Sequence, residues 1–95
     1  MKLHKTDRRF TLYHHGFNYY VEFGEYDWNR FNCAMRYCRS KLGNEFWVFN
    51  KTVYRPEGKW RAVFKNQKRI FLRDEKYYTL LSLAMSAEEK DTFYL

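Results

Sequence analysis

Between Val53 and Leu72 the chain is punctuated as two β-hairpins that share a middle strand. Pro56-Glu57-Gly58 supplies the first turn, because Pro fixes φ and Gly relieves the sharp bend. Asn66-Gln67 supplies the second, since Asn tolerates the positive φ that a two-residue hairpin requires. Strands are therefore predicted at 45–54, 59–65 and 68–73. The turns also set the register, with Arg55 opposite Gly58 and Lys65 opposite Lys68. That register sorts the side chains onto two faces. Trp47, Phe49, Val53, Trp60, Ala62, Phe64 and Phe71 read as core, with Arg69 and Arg73 toward the edge. Asn50, Thr52, Tyr54, Lys59, Arg61, Lys65 and Lys68 read as the exposed face, together with Val48, Val63, Ile70 and Leu72.

The rest of the chain extends this plan. Phe10 and Leu12 alternate with Thr11 and Tyr13, and Phe17, Tyr19, Val21 and Phe23 alternate with Asn18, Tyr20 and Glu22. Two such runs around His15-Gly16 predict another hairpin. Residues 1–8 are polar and are expected to form a flexible basic arm. Asp27 is placed to cap a helix and Gly43 to follow its end. Between them Trp28, Phe31, Ala34, Met35, Cys38 and Leu42 recur at helical spacing, opposite Asn29, Arg30, Cys33, Arg36, Tyr37 and Ser40. Asp74 opens a second helix with a stripe of Tyr77, Leu80, Leu81 and Ala84. Ser86-Ala87-Glu88-Glu89 has the form of a capping box and predicts a short third helix. The expected order is ββ-α-βββ-α-(α). This is an α+β class, an antiparallel sheet with helices packed on one face, forming one domain over 9–95.

Composition narrows the function classes. Nine Phe, nine Tyr and three Trp in 95 residues fill a core and argue against disorder. No apolar stretch is long enough for a membrane span, and none follows Met1–Arg9 as a signal peptide requires. Residues 1–73 carry 16 Lys/Arg against 6 Asp/Glu, a net +10, while residues 74–95 carry 2 against 5, a net −3. The cations cluster along the predicted sheet, which suits a polyanion. Cys33 and Cys38 lie on different sides of one helix, so reduced thiols in a cytoplasmic protein are expected. No Gly-rich phosphate loop, nucleophile motif or zinc-ligand spacing is present. A non-enzyme without cofactor or metal is therefore expected.

The segment Val53-Tyr54, Gly58, Lys59-Trp60-Arg61-Ala62 and Lys68-Arg69-Ile70-Phe71-Leu72 resembles the three-stranded sheet of AP2-type DNA-binding domains and of the arm-type domains of phage integrases. The likeness spans residues 53–72, and Arg73 stands where those families have a Gly. The resemblance implies a sheet whose exposed face enters the major groove. On the residues themselves, Arg61 suits a guanine edge through O6 and N7. Lys59, Lys65 and Lys68 suit phosphates, Tyr54 suits stacking on a base or sugar, and Asn50 shares their face. A nucleic-acid-binding accessory protein, with DNA the expected partner, is the first expectation. In its short, basic, aromatic-rich composition the chain also resembles small phage accessory proteins. The alternative expectation is accordingly a phage-encoded interaction module that inhibits a host nucleic-acid or defence enzyme by direct binding.

Overall fold

A computed structural model describes residues 2–49, 54–64 and 67–93. The elements in chain order are strand β1 (Lys2–Lys5), a 3-10 helix (Thr11–His15), β2 (Tyr19–Phe23), helix α1 (Trp28–Lys41), β3 (Phe46–Phe49), β4 (Tyr54–Glu57), β5 (Trp60–Val63), β6 (Lys68–Leu72) and helix α2 (Glu75–Phe93). Strands β1-β2-β6-β5 form an open antiparallel sheet in that order, and β3-β4 form a separate antiparallel ribbon. The class is α+β, as the sequence implies. Among the described residues no helix is long and apolar enough to cross a membrane.

One face of the sheet carries Val21, Phe23, Trp60, Ala62, Ile70 and Leu72. Phe31, Ala34 and Cys38 of α1, Leu42 at its C-cap, and Leu81 and Met85 of α2 close over it. Trp60 is 1% exposed, and its indole N–H donates to the Gly43 carbonyl at 2.6 Å, so it is both packed and hydrogen-bonded. The opposite face is also covered. Tyr20 and Phe71 pair across β2 and β6 and bury against Phe17, with Phe10 and Leu12 leaning on them.

The N-terminal hairpin forms from other residues than predicted. The strand that pairs with β2 is Lys2–Lys5, inside the expected arm, and the expected strand at 9–15 contains the 3-10 helix. The alternation of Phe10 and Leu12 serves both conformations, because a tight helical turn also brings them beside Phe17. Thr6 decides the matter: its N–H donates to the Asn18 carbonyl at 2.9 Å and its hydroxyl to the Phe17 carbonyl at 2.8 Å. Asp7 and Arg9 close the next turn through a bidentate pair, and those hydrogen bonds hold the Asp7 carboxyl below its ordinary range.

The three strands of 45–73 do not share one sheet. β4 pairs with β3, with Pro56 opposite Trp47, so Pro56 and Glu57 belong to a strand and not to a turn. A ribbon strand has one unpaired edge, where a residue without N–H is tolerated. Gly58 then turns the chain into β5 with φ of +82°, a region open to glycine. The β5–β6 register differs from the predicted one by a single residue. Val63 pairs with Arg69, where the sequence reading sets it opposite Ile70. Lys68, Ile70 and Leu72 consequently turn to the helix-covered core, and Phe71 turns to the second cluster. Phe64, expected in the core, is 56% exposed, and Trp28, expected in the stripe of α1, is 47% exposed.

Asp74 opens α2 as expected, its carboxylate accepting from the Lys76 N–H at 3.0 Å. The helix then runs unbroken to Phe93, so Ser86 does not start a third one. Leu80, assigned to the buried stripe, is 46% exposed.

Candidate nucleic-acid interface

The six residues assigned to nucleic acid do not gather on one surface. Asn50 and Lys65 lie outside the described residues. Tyr54 opens β4 in the ribbon, paired with Phe49, away from the four-stranded sheet. Lys59 is exposed at the entry to β5. Arg61 and Lys68, expected on one face, project from opposite faces because of the register.

Both of those cations have structural partners. The Arg61 Nη1 donates to the Glu45 carboxylate at 2.7 Å, and the same oxygen accepts the Ala62 N–H at 3.1 Å. β5 is an edge strand, so Glu45 caps its outward N–H while neutralising its arginine. Lys68 is 7% exposed; its ammonium donates to the Glu25 carbonyl and lies 4.3 Å from the Trp28 ring centroid. A lysine held in this way anchors the segment before α1 and presents no charge to solvent.

Two more arginines, Arg69 in β6 and Arg73 just past its end, are built into the fold. Arg69 lies over Tyr20 at 4.9 Å, with Glu22 on the paired strand 3.8 Å away. Arg73 donates to the carbonyls of Gly58, His15 and Pro56 and covers the Phe17 ring at 4.0 Å. Arg61, Lys68, Arg69 and Arg73 are thus internal fastenings, while Lys59 stays exposed.

A different surface carries open positive charge. α1 reads WNRFNCAMRYCRSK: four cations and no acid. Phe31, Ala34 and Cys38 bury one side, which leaves Asn29, Asn32, Arg36, Arg39 and Ser40 exposed on the other. At 100° per residue these five lie within an arc of about 100°. Arg36, Arg39 and Lys41 have no acidic partner among the described residues. Arg30 has one, Asp27, at 3.6 Å. The sequence pattern shows this polar face, with Asn29, Arg36 and Ser40 opposite the apolar stripe. What it lacks is any sign that the sheet cations are engaged elsewhere.

The two cysteines are thiols. Burial, with the Glu45 charge adding to it, pushes Cys38 up to about 12. That is the signature of an inert core thiol. Compared with known proteins, the chain matches no family model, no curated protein and no solved structure.

Proposed function

We propose that this protein is a nucleic-acid-binding accessory or regulatory protein, and that it binds through the outward face of α1. The observation that carries this reading is the acid-free helix whose exposed side presents Asn29, Asn32, Arg36, Arg39 and Ser40. Arginine and asparagine are the side chains whose geometry matches phosphates and purine edges. The sheet is the weaker candidate, because Arg61, Lys68 and Arg73 already have partners. DNA duplex is the first probe. Each phosphate neutralised contributes about −0.9 to the slope of log affinity against log salt, so Arg36 and Arg39 give roughly −2, and Lys41 at the end of the helix brings it to about −3. Electrophoretic titration across a salt series measures the slope. The double variant Arg36→Gln/Arg39→Gln should bind more weakly and lose about two from the slope, with an unchanged melting curve. A flat salt response in the parent, or an identical slope in the variant, overturns the reading.

A second reading, an inhibitor acting by direct contact with a protein partner, is supported by α2. Leu80 is 46% and Leu83 is 65% exposed, one turn apart on that helix. Capture of a nuclease-resistant partner from lysate, lost in Leu83→Lys, would favour it.

A further inference from the structure

We propose that Trp28 and Phe64 form a stacking site for an unpaired nucleobase at the N-terminal end of the cationic face of α1. This rests on the nucleic-acid reading above and deepens it, naming single-stranded nucleic acid as the ligand class.

An exposed aromatic by itself is ordinary. These two are adjacent, with centroids 6.4 Å apart and rings at 69°. Both stand edge-to-face against the buried Phe31, at 6.1 and 6.0 Å, and Phe31 stands in turn against Phe23 at 5.4 Å. The exposed rings are therefore the surface end of a chain of aromatic contacts rooted in the core. Lys68 fixes the indole from a further side, its ammonium 4.3 Å from the ring centroid while it holds the Glu25 carbonyl. A ring so anchored loses little freedom when a ligand stacks on it.

The surroundings select the ligand. Trp28 begins the same helix that exposes Asn32, Arg36 and Arg39. By helical rise, Arg36 and Arg39 stand about 12 and 17 Å further along the axis. At 100° per residue both lie within about 80° of Trp28 around it. An apolar protein segment has no use for that charge. A strand of nucleic acid uses both, its phosphates on the arginines and a base on the rings, which is how single strands are held. Bases inside a duplex are already stacked and cannot reach Trp28.

The test uses the full chain with a short fluorescent oligothymidylate and a duplex of equal length, by anisotropy at fixed salt. Phe64→Ala and Trp28→Ala should each weaken the single strand by about 5- to 150-fold, the range for one base–aromatic stack, and leave the duplex nearly unchanged. Thermal melts accompany each variant, and Phe64, which holds no cation, stands as the independent case if Trp28→Ala melts early. Single-strand affinity unchanged in Phe64→Ala and in a folded Trp28 variant overturns the stacking site. If Arg36→Gln/Arg39→Gln still weakens both probes in that case, the α1 reading survives without it. No binding of either probe by the parent overturns both. Loss of a protein partner in Phe64→Ala, with nucleic-acid affinity intact, overturns the proposal in favour of a protein-docking surface.

Discussion

Arg73 holds carbonyl oxygens from three separate segments, and the planar fork of its guanidinium is why one side chain reaches them all. The His15, Pro56 and Gly58 carbonyls end the 3-10 helix, the ribbon and the link to β5, none of which is tied together by a sheet ladder. Arg73→Ala leaves those acceptors without their donor, so a loss on the order of 3–5 kcal/mol is expected. Arg73→Lys should recover only part of it, because an ammonium keeps the charge and loses the fork. Urea unfolding of the three proteins checks this. Gly16 belongs to the same cluster. It has φ of +89°, and a Cβ there would lie 2.6 Å from Arg73 Nη1. Gly16→Ala should cost about 1–3 kcal/mol for the backbone alone. Combined with Arg73→Lys, its cost should fall short of additive, since the crowded atom is gone. Cys38 gives a pH-dependent counterpart. Its thiol is raised from 9.0 to about 12, so the unfolded chain ionises first as pH rises through that window. Below the window the thiol is protonated in both states and contributes nothing to the pH dependence. Across it stability must fall. Urea midpoints at pH 8 to 11 should fall more steeply for the parent than for Cys38→Ala, with pH 8 as the shared reference.

Among the elements, α1 is legible from its apolar period, whereas the end of α2 and the elements defined by a loop are not. α1 is a run of 14 residues whose apolar side repeats at helical spacing, and misplacing its end by one residue leaves the same side facing in. The β5–β6 hairpin has no such tolerance. The predicted two-residue turn places Lys65 opposite Lys68, whereas Val63 pairs with Arg69 in the fold. One residue of loop length exchanges every side chain between faces. That single error moved Lys68 and Ile70 out of the core and Phe71 into it. The ribbon is hidden for a related reason: Pro56-Glu57-Gly58 satisfies turn chemistry, yet of the three only Gly58 bends the chain. The candidate interface is the least legible part, because charge is visible in sequence and its partner is not. Nothing in the residues around Arg61 announces Glu45, 16 positions earlier. Lys68 offers the sharpest check at this scale. Lys68→Met keeps the stem and removes the ammonium from the Glu25 carbonyl and the Trp28 ring. A loss of about 1–3 kcal/mol is expected for a charged hydrogen bond of this kind. A melting temperature equal to that of the parent would mean that Lys68 points to solvent after all.

Across the molecule, burial and open positive charge separate by layer. The four-stranded sheet is covered on both sides, by α1 and α2 over Ile70 and Leu72 and by the Phe10–Phe17 segment over Tyr20 and Phe71. A sheet of this kind holds the fold together and offers a ligand little of either face. The helix that packs on it has one apolar side facing the sheet and one polar, acid-free side facing out. Arg61, Lys68 and Arg73 in and beside the sheet therefore join segments, while Arg36 and Arg39 on α1 have no acidic partner among the described residues. Phe71 tests this division, because the sequence register and the observed one assign it to opposite faces. It is 4% exposed, with rings of Tyr20 and Phe10 at 5.5 and 5.9 Å. Phe71→Ala should destabilise the protein by about 3–5 kcal/mol, the usual cost of emptying an aromatic from a closed cluster. Under conditions where enough of the variant remains folded, its nucleic-acid affinity per folded molecule should equal that of the parent. The Arg36→Gln/Arg39→Gln protein should show the converse, with normal unfolding and weakened binding. If Phe71→Ala instead unfolds like the parent and loses its ligand, the second face of the sheet is the binding surface, and α1 is only the helix that covers the first.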